Sequence, residues 1–206
     1  IAYVSATQIE RLENPDTKEA TEDSPGVLRT LDPEKFLEVI ADAEENSDFV
    51  VAYVHWGSEN TDLVEASQRE LAQKYVEAGA DLIIGDHPHC LQGIDYVEGV
   101  PVFYSLGNFW FNSKTVDTGL VKVTLDTDAK IDHICFLPCI QQNCKTRIAD
   151  ADEKQRILTY LQGISNYAQI DSDGNVTESD ADQNVQNGLN TSPSKKSDEQ
   201  TTDVLL

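Results

Sequence analysis

The chain has 206 residues, 39% of them apolar, enough for one domain with a sizeable core, or for one domain and a tail. Thirty-seven acidic against 15 basic side chains leave a formal charge of −22. That field repels phosphate backbones and anionic headgroups and disfavours nucleic acid and membrane surfaces as partners, and no apolar run is long enough for a transmembrane helix.

Residues 1–5 read as a short apolar strand. From Gln8 to Arg29 the sequence is polar, with Pro15, Pro25 and Gly26, and is expected to be a long loop. Asp32-Pro33-Glu34 predicts a helix start, with Asp32 as N-cap, and Phe36, Val39, Ile40 and Ala43 carry helical spacing to about Glu45. Phe49 to Val54 is a continuous β-rich run, the pattern of a strand buried on both faces. Ser67-Gln68-Arg69-Glu70 reads as a capping box opening a second helix that Gly79 closes. Asp81 to Ile84 is the next buried strand, so strand, helix and strand predict a parallel α/β unit with a right-handed crossover.

The pattern then changes. Gln92–Tyr96 and Val100–Ser105 around Glu98-Gly99 predict a hairpin, and Leu120–Leu125 with Ile131–Phe136 predict another. A last helix is expected over Asp150–Gly163. From Asp171 onward the composition turns polar and acidic, predicting a disordered tail or linker. Asp171-Ser172-Asp173-Gly174-Asn175 departs from a calcium loop in the placement of Gly and reads as a turn. Cys90 stands alone and Cys135, Cys139 and Cys144 lack the paired CxxC form, so all four are expected as buried or half-buried thiols.

Three of four histidines fall at strand ends. His55 follows the strand ending at Val54, and His87 and His89 follow the one ending at Ile84. Ligands of open α/β sheets bind at the carboxyl ends of strands, and adjacent parallel strands bring both loops to one edge. In an extended segment His87 and His89 would point the same way, with Pro88 biasing His87 toward that geometry. Imidazoles with the carboxylates Glu59 and Asp86 alongside make a donor set for a divalent transition metal. His133, inside a hairpin strand, is expected to be structural. Asn108 either holds a substrate oxygen or orients a ligand, or else forms a turn, with Phe109, Trp110 and Phe111 after it expected in the core. Trp56 is either a packing wall or a substrate platform.

The segments VVAYVHWGSE and SQRELAQKYVEAGADLIIGDHPHCLQGIDYVEGVPVFYSLGNFWF, in this order, resemble the capsule-synthesis proteins called CapA, or poly-γ-glutamate synthesis proteins. The resemblance covers about residues 1–165 and is strongest over 48–112. It implies a calcineurin-like metallophosphoesterase fold: an α/β β-sandwich flanked by helices, with mixed parallel and antiparallel strands. It also implies a centre of two divalent ions of the Mn, Zn or Fe type. His55 and His87 would then ligate one ion and His89 the other, with Glu59, Asp86 and Asn108 in catalytic roles. Asp86 stands where the family often has a second His.

The family's early motifs are missing, and the chain opens on Ile1 and contains no Met. It is therefore expected to be the C-terminal portion of the domain, at 1–165, followed by an acidic tail at 166–206. The resemblance implies metal-dependent phosphoester hydrolysis in capsule or poly-γ-glutamate synthesis or export. Its setting would be the bacterial cell surface, beside membrane-bound polymer synthase components, with an anionic polymer or phosphoester as substrate and a membrane anchor upstream. The alternative is a non-catalytic binding or assembly component of the same synthase.

Overall fold

The computed structural model describes residues 1–7, 19–30, 32–111, 113–179 and 202–206. Its elements in chain order are β1 (Ala2–Thr7), α1 (Glu34–Asn46), β2 (Val50–His55), α2 (Ala66–Glu77), β3 (Leu82–Asp86), β4 (Ile94–Val97) and β5 (Val100–Phe103). Then follow β6 (Val116–Leu125), β7 (Ile131–Gln142), β8 (Lys145–Ile148), α3 (Ala151–Ile164), β9 (Ala168–Ile170), β10 (Val176–Glu178) and β11 (Thr202–Leu205).

The two buried apolar runs become β2 and β3, paired in parallel with His55 opposite Asp86. β1 lies parallel on the other side of β2 and places Thr7 opposite His55. β5 joins β3 in parallel and β4 closes the edge antiparallel, giving the order β1-β2-β3-β5-β4. A second sheet, β11-β6-β7-β8, is antiparallel throughout.

Alternation along the strands divides the apolar side chains between two cores. Val50, Ala52, Val54 and Ile83 pack with Phe36 and Ile40 of α1 and with Leu71, Ala72 and Tyr75 of α2. Val51, Leu82 and Ile84 face Val121, Val123, Ile134 and Phe136 of the second sheet, with Ile157, Leu158 and Leu161 of α3 in the same cluster. The fold is a mixed α/β sandwich flanked by helices, as a metallophosphoesterase-like architecture requires. Phe136 is fully buried because residue 119 is glycine: a Cβ there would stand 2.2 Å from its ring.

Helix α2 is tied to the sheet by the Arg69 guanidinium, which donates to the Asp95 carboxylate and lies 5.4 Å from the Tyr104 ring centroid. Asp95 is only 3% exposed, so removing its partner leaves a buried carboxylate unpaired. Arg69→Ala is expected to cost about 2 kcal/mol, reduced from the fully buried case because the guanidinium reaches solvent. A urea titration would read it as a lowered midpoint.

Three boundaries differ from those read in the sequence. The cap of α2 is Glu65, with Gln68 as its reciprocal partner, rather than a box beginning at Ser67. Helix α1 begins after Pro33 with no side-chain cap, so Asp32 does not cap it. The ordered fold also runs past residue 165. β9 and β10 form a hairpin whose Ala168, Ile170 and Val176 are buried in the inter-sheet core, and β11 pairs with β6. Their apolar residues are too few and too short-spaced to show as strands in a polar stretch. Between β9 and β10 the Asp171 carboxylate accepts from the N–H groups of Asp173, Gly174 and Asn175, the turn the sequence predicted. Of the loop expected over 8–29, residues 8–18 lie outside the described residues, as do residues 180–201 of the tail expected over 166–206.

Candidate metal centre

The parallel register brings the carboxyl ends of β1, β2 and β3 level, and His55 and Asp86 stand side by side there. His55 Nδ1–H donates to Asp86 Oδ1 at 2.7 Å. That bond fixes the proton on Nδ1 and leaves the Nε2 lone pair facing His87 Nδ1 at 3.0 Å. Beside Asp86, the Tyr53 hydroxyl has its pKa pushed up to about 12 by burial and by that carboxylate. On the other side, His89 Nδ1–H donates to Asn108 Oδ1 at 2.7 Å, which leaves the His89 Nε2 lone pair free.

Glu59, His87 and His89 each offer a ligand atom, and these atoms all lie within 4.8 Å of one another. A ring at His87 can accept an ion only when neutral. Burial, reinforced by the neighbouring His55, holds its pKa below the usual histidine value, against the opposing pull of Glu59 and Asp86. The donor set of two imidazoles and one carboxylate fits a divalent transition metal. Histidine ligands oriented through the other ring nitrogen by a carboxylate or amide are the usual outer shell of such a site. The 3.0 Å between His55 Nε2 and His87 Nδ1 is also the spacing of two imidazole nitrogens sharing one ion, each about 2.0–2.1 Å from it at a right angle.

The rings converge by a route the sequence did not suggest. His87 and His89 are not extended: their φ values are +95° and +61°, in the left-handed region, on either side of Pro88. The chain bends through residues 87–90 so that both rings return to the edge they came from. The Asn60 N–H donates to the Pro88 carbonyl at 2.8 Å, and thereby joins the Glu59 loop to the histidine loop.

Two buried glutamines set the far end of that loop. Gln68 Nε2 donates to Gln92 Oε1 at 2.9 Å, and Gln92 Nε2 donates to the carbonyls of Thr61 and Leu63 at 3.2 and 3.0 Å. Gln68 and Gln92 were not among the expected site residues. No sequence signal marks them: Gln68 stands among polar neighbours in Ser67-Gln68-Arg69-Glu70, and Gln92 opens the stretch expected as a hairpin. Gln92→Leu leaves two carbonyls and the Gln68 amide without a partner. It is expected to cost about 2–3 kcal/mol and to loosen the Glu59 loop, seen as faster amide exchange over residues 58–65.

Other expectations divide. Trp56 is a packing residue: it is fully buried, stacks on Tyr75 and Tyr104, and its Nε1–H donates to the Tyr104 carbonyl at 2.9 Å. Phe109, Trp110 and Phe111 are exposed rather than in the core, because β6 begins only at Val116 and the segment crosses the rim of the sandwich. Of the four thiols, Cys139 is buried, Cys90 and Cys135 are half-buried, and Cys144, in the turn between β7 and β8, is exposed. A cleft of about 400 Å³ opens beside His55 and Asp86, bounded by Ser5, Thr7, Leu28 and Tyr53.

Residues 1–113 match a family model described as bacterial capsule synthesis protein PGA_cap. The PGA biosynthesis protein CapA of Bacillus subtilis (strain 168) is 43% identical over 162 residues, covering 77% of this chain and 42% of that protein. The capsule biosynthesis protein CapA of Bacillus anthracis is 38% identical over 151 residues, covering 69% of this chain and 36% of that protein. An uncharacterized protein of Sinorhizobium fredii (strain NBRC 101917 / NGR234), y4sH, is 33% identical over 110 residues, half of this chain and 23% of that protein. The chain thus spans about two fifths of the length of the two CapA proteins. Its match includes both histidine-bearing strand ends, and the chain belongs to the bacterial capsule synthesis protein PGA_cap family.

Proposed function

We propose that this chain supplies the histidine side of a metal-dependent, phosphoesterase-type hydrolase acting in capsule or poly-γ-glutamate synthesis at the bacterial cell surface. The observation that carries the reading is the convergence of Glu59, His87 and His89 within 4.8 Å at the carboxyl edge of a parallel sheet, with His89 oriented through its other ring nitrogen by Asn108. Glu59, His87 and His89 would hold an ion, and His55 would complete its shell or begin that of a second. A divalent ion there supplies Lewis-acid polarisation and a bound water of lowered pKa.

The protein's own groups have separable tasks. Asp86 fixes the His55 tautomer through Nδ1–H, and His55 in turn meets His87. Asn108 does the same for His89. Tyr53, with its proton retained far above neutral pH, lines the adjoining cleft beside Asp86 without adding a negative charge to it. In this reading Asp86 and Asn108 are positioning residues rather than groups that touch the reacting atoms. The expected partners are membrane-bound polymer synthase components, and the expected substrate is a phosphoester or an anionic polymer. Bound cations would offset the repulsion that a charge of −22 exerts on such a ligand.

Elemental analysis of this chain, and of the same protein extended to the length of its relatives, tests the reading. Bound divalent ion in both, with phosphate release from a phosphoester panel by the longer form, is the expected result. Absence of metal from both would overturn the hydrolase and leave an assembly component of the synthase.

A further inference from the structure

Phe109, Trp110 and Phe111 expose 48%, 70% and 56% of their surface, three large aromatic rings in a row on the rim beside the histidines. Exposure of this kind ordinarily accompanies a loosely held loop, yet this one is pinned. The Phe111 N–H donates to Gln141 Oε1 at 3.1 Å, the Trp110 Nε1–H to the Cys144 carbonyl at 2.8 Å, and the Thr146 hydroxyl to the Phe109 carbonyl. Each partner belongs to β7, β8 or the turn between them. The segment is thus fixed by polar atoms while its ring faces stay uncovered, and the only polar atom of the Trp110 side chain is already engaged. Phe111 lies on His89 with ring centroids 4.7 Å apart and planes 27° from parallel. Anything held at the candidate ion position therefore lies next to Phe111, from which the exposed row continues through Trp110 to Phe109.

We propose that Phe109, Trp110 and Phe111 form a ring-binding subsite for a phosphoester whose alcohol part carries a flat ring, of the nucleoside or aryl phosphate class. Its phosphoryl group sits at the ion and its ring stacks on the rim. The assignment rests on the hydrolase reading above and adds the leaving-group side of the substrate. Stacking is the contact such faces make best, because every planar ring presents a π-face and needs no matched polar groups. An acyclic anionic chain offers no such face. The charge of −22 disfavours an anionic membrane as the occupant.

The chain has two tryptophans, and Trp56 is fully buried, so ligand-sensitive fluorescence reports Trp110. The experiment titrates adenosine monophosphate, adenosine and ribose 5-phosphate into the protein with and without Zn(II). Wild type is compared with Phe111→Leu and His87→Ala, and sedimentation of wild type and Trp110→Ala reads the oligomeric state. The expected result is quenching by both adenine compounds, none by ribose 5-phosphate, and adenosine monophosphate binding about tenfold weaker in Phe111→Leu. Zinc should strengthen adenosine monophosphate alone, and only when His87 is present. Ribose 5-phosphate binding as tightly as adenosine monophosphate, or Phe111→Leu binding as wild type, would overturn the subsite while leaving the metal reading intact. Ring-dependent binding indifferent to zinc and to His87 would keep the subsite and remove the hydrolase. A dimer that Trp110→Ala dissociates would overturn the subsite in favour of self-association.

Discussion

His87→Ala is expected to weaken divalent-ion binding by more than about a hundredfold, a larger loss than the ten- to hundredfold typical of removing an orienting partner. His87 stands between the two halves of the centre: it belongs to the ligand-spaced group with Glu59 and His89, and its Nδ1 meets His55. No other side chain among the described residues occupies both positions. The folded state should tolerate the change, because the ring is part-exposed and alanine inherits the same left-handed backbone rather than a new one. Asn108→Ala should fall in the lesser class, since its amide fixes the His89 tautomer without reaching the ion position. Calorimetric titration with Zn(II) or Mn(II), beside thermal melts of the metal-free proteins, would separate ligand loss from unfolding. Equal affinity in His87→Ala and wild type would remove the centre as drawn.

Gly85→Ala should produce the largest loss of stability, about 3–5 kcal/mol, from overpacking combined with a broken buried hydrogen bond. A Cβ at residue 85 would stand 2.2 Å from Trp56 Nε1 and 2.2 Å from the Tyr104 carbonyl oxygen. Those two atoms are themselves hydrogen-bonded at 2.9 Å, so the methyl group would be driven between them. The carbonyl is backbone and Trp56 is fully buried between Tyr75 and Tyr104, so neither has room to retreat. Residue 85 also lies between Ile84 of the core and Asp86 of the centre, which couples the packing defect to the site. For a domain of this size the melting temperature should drop by about 10 °C, read by calorimetry. A drop of one or two degrees would mean that the strand shifts instead of the indole.

The sequence made the parallel half of the fold plain, because β2 and β3 are buried on both faces and appear as unbroken apolar runs. It also made the meeting of three histidines plain, since adjacent parallel strands leave their carboxyl ends on one edge. The local path was not readable: Pro88 favours an extended residue before it, but the closing of the loop onto the Glu59 segment through the Pro88 carbonyl overrides that preference at His87. Phe109 to Phe111 show the complementary failure. Aromatic type alone suggests burial, and only the partners of their backbone and indole N–H groups show that the rings face outward. The β9–β10 hairpin escaped notice because three buried side chains, Ala168, Ile170 and Val176, suffice to seat it.

The left-handed backbone at His87 and His89 carries one more implication. A non-glycine residue in that conformation is disfavoured by about 1–2 kcal/mol, so the bend carries a local cost that its surrounding contacts must offset. Ion binding would act in the opposite sense, tying both residues into one coordination shell and stabilising the bound state by mass action. Amides 87–90 should accordingly exchange with deuterium early in the metal-free protein and late once an ion is added. The bend would then work as a local order parameter for metal occupancy, legible in a backbone signal without any substrate.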